Sequence, residues 1–224
     1  MKFKLLVFDW DGTLMDSEAR IVDCVQAALA DLDLPARPYE EISNIIGLGL
    51  REAVTTLYPG ADDALLQNIV NRYRRHYFDE NRTPSPLFTG AREVIETLAS
   101  RDYLLAVATG KGRKGLNIVL ETTNLKEYFH ATRCADEAFS KPHPEMLEQI
   151  LDELGVFPHE ALMIGDTEYD LQMAAHAGLS SLAVSYGVHG VERLLRHKPL
   201  ACLAAVTEIP PWLQRQEQAS VAAD

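Results

Sequence analysis

Two carboxylates stand two residues apart in Asp9-Trp10-Asp11-Gly12-Thr13, directly after the apolar run Leu5-Leu6-Val7-Phe8. A lone Asp-x-Asp-Gly suits a solvated turn, since Asp and Gly favour turns. Here it follows a run that reads as a buried strand, with a glycine that lets the chain turn sharply beside the acids. Three further apolar runs end in small or polar residues: Tyr103 to Ala108 in Thr109-Gly110, Ala161 to Ile164 in Gly165-Asp166, and Ser181 to Val184 in Ser185-Tyr186-Gly187. Lys141-Pro142 adds a cation, and Asp170 lies one helical turn beyond Asp166. Acids, a hydroxyl and a lysine are the side chains that attack as nucleophiles, move protons and hold cations or anions.

Helical patterns near Ala91 to Ser100, Gly112 to Thr123, Pro144 to Leu154 and Tyr169 to Ala177 separate these runs. Strands alternating with helices predict an α/β fold, a parallel sheet covered on both faces. In such sheets the ligand crevice lies outside the carboxyl ends of the strands, where the polar residues collect. Residues 17–84 break the alternation. Ser17 is placed to cap a helix with apolar positions Ile21, Val25, Ala28, Leu29 and Leu32, which Leu34-Pro35 ends. Further helices are expected near Tyr39 to Ile46, Leu50 to Leu57 and Asp62 to Phe78, with Pro84-Ser85-Pro86 as a stiff return. The expected organisation is a discontinuous domain of residues 1–16 and 85–224 with an all-helical domain, residues 17–84, inserted after the first strand. Gln214 to Asp224 reads as a frayed tail.

Composition narrows the partners. The 224 residues carry 21 Lys and Arg against 33 Asp and Glu, a formal charge of −12 that opposes nucleic acid and anionic membranes as partners. Hydrophobic residues make up 47% and charged residues 24%, the composition of a packed globular chain. Cys24, Cys134 and Cys202 are far apart and form neither a metal-binding spacing nor a disulfide framework. Asp9 stops the first apolar run well short of a signal-peptide core, and no stretch approaches the roughly 18 apolar residues of a membrane span. These features point to the cytoplasm.

In order along the chain, Asp9-Trp10-Asp11-Gly12-Thr13-Leu14-Met15-Asp16-Ser17, Thr109, Lys141-Pro142 and Gly165-Asp166-Thr167-Glu168-Tyr169-Asp170 match the four motifs of one family. The sequence resembles the haloacid dehalogenase superfamily, in the branch with a helical cap inserted after the first strand. The resemblance implies a Rossmann-like core plus cap, and catalysis by Asp9, Asp11, Thr109 and Lys141. Asp9 would be the nucleophile that forms an aspartyl-phosphate, and Asp11 the residue that protonates the leaving oxygen and then deprotonates water. Asp9, Asp166 and the Asp11 carbonyl would bind Mg2+, a hard cation that prefers oxygen ligands. Thr109 would bond a phosphoryl oxygen, Lys141 would supply fixed positive charge, and Asp170 would orient Lys141 or a metal-bound water. Asp16 and Ser17 match the motif as hinge and helix cap.

Trp10, Thr13, Gly110, Lys111 and Arg51 are the candidates for contacting substrate. Gly110 stands where relatives often carry Asn, so backbone N–H groups of Gly110-Lys111-Gly112 would replace a side-chain contact. Lys111 and Arg113 either touch an anionic substrate or form a solvated basic turn. The stretch is not a Walker A loop, because Leu116-Asn117 stands where Lys-Ser/Thr is required. Asp11 favours a phosphate ester, since relatives that dehalogenate carbon or cleave phosphonates usually replace it. A cysteine phosphatase would need Arg six residues after a cysteine, where this chain has Ala30, Ser140 and Glu208. There is also no Gly-x-Ser-x-Gly elbow. Gly47-Leu48-Gly49-Leu50-Arg51 is the expected cap loop over the site, with Arg51 as an anion clamp or a solvated residue. The expected function is Mg2+-dependent hydrolysis of a small phosphorylated metabolite, phosphoglycolate first, by a chain compatible with a monomer. A phosphosugar mutase of the beta-phosphoglucomutase type is the alternative. A noncatalytic phosphate-binding regulatory or scaffold protein is the reading from another class, against which retention of both Asp9 and Asp11 speaks.

Overall fold

Leu5–Phe8 (β1) is buried along its whole length, as a run without polar alternation must be when both faces of a sheet are covered. The computed structural model describes residues 3–221. Around β1 it assembles β2 (Leu104–Thr109), β3 (Ala131–Cys134), β4 (Ala161–Gly165), β5 (Ser180–Val184) and β6 (Cys202–Leu203). All pairings are parallel, in the order β3-β2-β1-β4-β5-β6. Phe8 is in register with Val107 on one side and Ile164 on the other. Successive strands move outward from β1 to β3 and then resume on its other side at β4. The crevice therefore opens beside the end of β1, where Asp9, Thr109 and Asp166 emerge within a few residues of each other.

Ten helices complete the described residues: α1 (Glu18–Ala30), α2 (Tyr39–Ser43), α3 (Leu50–Leu57), α4 (Asp63–Arg75), α5 (Ala91–Ala99), α6 (Arg113–Thr122), α7 (Glu145–Leu154), α8 (Glu168–His176), α9 (Val191–Leu195) and α10 (Ile209–Val221). Residue parity in the strands decides which helices they meet. Leu6, Phe8, Leu105, Val107 and Ile164 pack with Val94, Ile95 and Leu98 of α5 and with Trp212 and Leu213 of α10. Leu5, Val7, Ala106 and Met163 pack instead with Met146, Leu147 and Ile150 of α7 and Met173 of α8. Each such fully buried aliphatic side chain contributes about 1.5–3 kcal/mol, so a polar substitution in β1 would threaten the frame that holds Asp9.

Helices α1 to α4 form a separate pack over the carboxyl ends of the strands, with their own apolar cluster of Val25, Leu29, Ile42, Val54, Leu57, Ile69 and Val70. Helix α4 runs on into one π-helical turn, His76–Glu80. The chain leaves and re-enters the sheet domain along adjacent paths. The Asp16 N–H donates to the Pro86 carbonyl at 2.8 Å, and the Phe88 N–H to the Leu14 carbonyl at 3.0 Å. The helical pack and the sheet are thus joined by two adjacent chain segments.

Several expectations need correction. β3 and β6 have no counterpart in the apolar runs, because β3 carries half-buried Thr132 and Arg133 and β6 is two residues long. Gln214 to Val221 is not frayed but belongs to α10, and residues 222–224 lie outside the described residues. Ser17 does not cap α1 with its side chain; its hydroxyl is used at the site below.

Candidate active site

The chain turns immediately after β1, so Asp9 and Asp11 project beyond the sheet. Gly12 makes the turn possible. Its φ is +79°, and a β-carbon there would fall onto the Asp166 carboxylate. Asp9 Oδ1 accepts from the Trp10 N–H at 2.7 Å and is 2.8 Å from Lys141 Nζ. Asp9 Oδ2 is buried and has no hydrogen-bond partner within the protein. Asp11 has both carboxylate oxygens engaged: Ser17 Oγ donates to Oδ1 at 2.6 Å, and Lys111 Nζ lies 2.9 Å from Oδ2.

Lys141 and three aspartates form a charge cluster behind this turn. The Lys141 ammonium, fully buried, bridges Asp9 and Asp170, with 2.6 Å to Asp170 Oδ1. Asp170 Oδ2 accepts from the N–H and hydroxyl of Thr167 at the start of α8, which fixes the carboxylate's rotation. Asp166, at the end of β4, accepts from Thr13 Oγ1 and the Val188 N–H, each at 2.8 Å. Burial pushes the Asp9 pKa up to about 7, against the pull of Lys141 and with the push of Asp170. Burial, Asp170 and Asp9 likewise hold Asp166 well above the usual carboxylate range. Burial works against the Lys141 charge, but Asp170 and Asp9 more than offset it and its pKa rises.

Asp9, Asp166 and Asp170 each place an oxygen within 4.8 Å of the others. One ammonium faces three carboxylates there, and one carboxylate oxygen has no donor. Hard oxygen donors with excess negative charge fit a small divalent cation.

A cavity of about 640 Å³ opens over Asp9, Asp11 and Thr109, and its far wall is built from α1, α3 and α4 and the loop around Gly47. That wall mixes apolar residues such as Ile21, Val25, Ile46 and Val70 with polar ones, among them Glu52, Gln67, Tyr73 and Arg74. Polar contacts hold the helices down over it. Ser140 Oγ accepts from the Gly49 N–H at 2.7 Å, and Tyr169 donates to the Asn44 carbonyl at 3.0 Å. Gly110 is required by this closure, since a β-carbon there would stand 2.5 Å from the carbonyl oxygens of Gly47 and Leu48. The space expected for a longer side chain at this position is filled by the backbone of the opposing loop.

The candidate substrate contacts divide sharply. The Trp10 side chain lies in the core, edge-on to Phe129, with its indole N–H directed at Met15 Sδ. The Thr13 hydroxyl is taken by Asp166. Neither residue lines the cavity. Arg51 does reach it, but its guanidinium is held at 2.6 Å by the exposed Asp63. Arg113 is turned away, onto Glu137 and Thr132. Lys111 departs most from a solvated turn: it is buried, and its ammonium joins Asp11 to the hydroxyl of Tyr77, 2.9 Å away. Ser17, read only as a cap, supplies the second donor to Asp11.

The sequence model of haloacid dehalogenase-like hydrolases matches residues 6–184. The chain belongs to the haloacid dehalogenase-like hydrolases. Among curated members, this hydrolase is 32% identical over 209 residues to "Probable phosphatase IndB" of Dickeya dadantii, covering 92% of this chain and 91% of that one. It is 32% identical over 204 residues to a phosphoglycolate phosphatase of Aliivibrio fischeri, covering 88% and 90%. The fold matches the crystal structure of a hydrolase from Pseudomonas syringae with a TM-score of 0.86, at 22% identity, over 95% of this chain and 98% of that one. No helix of the described residues is long and apolar enough to cross a membrane.

Proposed function

We propose that this hydrolase is a phosphatase of small phosphorylated metabolites that works through a phosphoryl group carried on Asp9. The observation that carries the reading is Asp9 itself. One carboxylate oxygen is fixed by Lys141 and a backbone N–H, and the other is unpartnered at the floor of a cavity beside Asp11. A nucleophile held in one orientation with a bare attacking atom is what in-line displacement needs.

In this scheme Asp9 Oδ2 bonds to phosphorus as the ester P–O bond breaks. Asp11, in its protonated form, gives its proton to the departing oxygen. Asp11 then takes a proton from water as that water attacks phosphorus, and the Asp9 carboxylate leaves with its electron pair. The Thr109 hydroxyl donates to a phosphoryl oxygen, and Lys141 offsets the charge of nucleophile and phosphate. Mg2+, held by Asp9, Asp166 and the Asp11 carbonyl, would supply further positive charge against the phosphoryl oxygens. Asp170 positions Lys141.

Residues 17–84 act as the cap and residues 1–16 and 85–224 as the catalytic core. A roofed site suits metabolites over phosphoproteins, and the relative named phosphoglycolate phosphatase makes phosphoglycolate the first substrate to test. A mutase must grip a sugar ring with polar groups while excluding water, and the wall opposite Asp9 is mixed, so release of inorganic phosphate is what separates the two readings. We take the reaction to be cytoplasmic, as the sequence composition suggests. Phosphate release from a panel of phosphorylated metabolites with Mg2+ tests the reading. Release that Asp9→Asn abolishes supports it, and phosphate-ester turnover that survives in that variant overturns it.

A further inference from the structure

Lys111 occupies a position that phosphoryl transfer alone does not require. Lys141 already serves the nucleophile, whereas Lys111 sits at the acid/base residue, on the side from which the leaving group must depart. Its ammonium is 2.9 Å from Asp11 Oδ2 and 2.9 Å from the Tyr77 hydroxyl, and 4.8 Å above the Tyr77 ring. Tyr77 comes from the π turn of the inserted helices, so the contact forms across the mouth between the two domains. Lys111 also lines the cavity, and its side chain is only 7% exposed. Burial opposes its charge, but Asp11 and Tyr77 more than offset that and keep it an ammonium.

We infer that Lys111 is the specificity residue of this site and reads a second anionic group placed close to the ester oxygen of the substrate. The inference rests on the phosphatase reading and goes beyond it by naming the substrate class: phosphorylated short hydroxy acids. Distance supplies the argument. To protonate the leaving oxygen, Asp11 must approach it to about 2.8 Å. With Nζ 2.9 Å from Asp11, the ammonium then lies within about 6 Å of that oxygen. A carboxylate one or two carbons away reaches Nζ directly and takes the place that Asp11 holds in this structure. A carboxylate five carbons away overshoots unless the chain folds back, at an entropic cost. Arg51 and Arg74 are the cap cations that line the cavity, but both are exposed, and Arg51 is engaged by Asp63. A buried, pre-positioned ammonium discriminates more strongly than an exposed one.

The test compares phosphoglycolate with its carboxyl methyl ester, which keeps the size and removes the charge. A series of ω-phosphooxy acids with one, two, three and five carbons between ester oxygen and carboxylate sets the reach. Phosphate release by the wild type should favour phosphoglycolate over the methyl ester by about 10- to 100-fold in kcat/KM, as expected for one charge-assisted hydrogen bond. The preference should fall as the spacer lengthens. In Lys111→Met it should shrink to within about threefold, and Lys111→Arg should restore most of it. A wild-type ratio near one, or a ratio that Lys111→Met leaves intact, overturns the inference. If Lys111→Met does not fold, Lys111→Gln, which removes the charge and keeps a polar end, takes its place in the comparison. A wild type that hydrolyses none of these esters, nor p-nitrophenyl phosphate, contradicts the phosphatase reading instead, so the two failures are distinct.

Discussion

The floor and the roof of the cavity are built on opposite principles. At the floor, Asp9, Asp166, Asp170 and Lys141 are fully buried charges, and nearly every oxygen has an assigned donor. The roof is a helical wall of apolar residues and exposed polar ones, held down by contacts such as Ser140 to Gly49, Tyr169 to Asn44 and Lys111 to Tyr77. The floor invests folding energy in confining like charges, which is useful only if a cation or an anionic substrate relieves them. The roof is joined to the floor by two adjacent chain segments and a few polar contacts. Under the proposed function, chemistry and selectivity are separable: the floor would set what bond is broken, and the roof with Lys111 whose bond.

Substitutions in the floor should therefore have the largest effects. Asp9→Asn keeps the shape and removes the attacking charge, so kcat for any phosphomonoester should fall by at least about 1,000-fold with circular dichroism unchanged. Lys141→Met leaves Asp9 and Asp170 buried without their shared cation. It should cost about 3–5 kcal/mol in urea-unfolding free energy as well as activity. Loss of activity with unchanged stability would mean that the cluster relaxes more freely than its burial implies.

Proton uptake provides a second view of the floor. The Asp9 pKa rises from 3.8 to about 7 on folding, and that of Asp166 also rises. Between those pH values the folded, metal-free chain holds protons that the unfolded chain has lost, so stability falls as pH rises from about 4 to about 7. Melting in a chelator should show that decline, and Mg2+ should raise Tm more at neutral than at acidic pH, where protons compete for the same oxygens. A Tm that climbs steadily from pH 4 to 7 in chelator would contradict the assigned shifts.

Substitutions at the roof should affect turnover and leave folding nearly intact. Gly110→Ala puts a methyl group against the Gly47 and Leu48 carbonyls. Closure should weaken and kcat/KM should fall about 10- to 100-fold, with Tm little changed. Arg51→Ala removes an ion pair whose side chains are 50% and 91% exposed. It should change stability by no more than about 0.5 kcal/mol and kcat/KM for phosphoglycolate by no more than about threefold. A larger effect on phosphoglycolate than on its methyl ester would give Arg51 a share of the anion reading.

The same division explains what could be read from the residues in order. Leu5-Leu6-Val7-Phe8 followed by Asp-Trp-Asp-Gly announces a buried strand and an acidic turn, because the strand is apolar on both faces and the turn needs glycine. Asp9, Asp11 and Asp166 were legible for the same reason, each at or near the end of an apolar run, whereas Lys141 follows no such run and was legible only through the family motif. The edge strands were not, since an edge tolerates Thr132 and Arg133 and requires no continuous apolar pattern. Nor was the burial of Lys111. Lys-Gly-Arg-Lys reads as solvated until Asp11 and Tyr77, remote in sequence, close around the first of its lysines. Ser17 shows a related limit: position suggests a cap, while the Asp11 carboxylate at 2.6 Å claims its hydroxyl. Trp10 and Thr13 were drawn into the site by adjacency, although a turn sends neighbouring side chains in different directions.

The central claim is that a phosphoryl group rests on Asp9 during turnover. Borohydride reduces an acyl phosphate to an alcohol and leaves free carboxylates unchanged, so quenching the enzyme during steady-state hydrolysis and sequencing its peptides by mass spectrometry locates the intermediate. The account predicts homoserine at position 9 only when substrate is present, and none in Asp9→Asn. Reduction at position 11, 166 or 170, or none at all in enzyme caught while releasing phosphate, would contradict it.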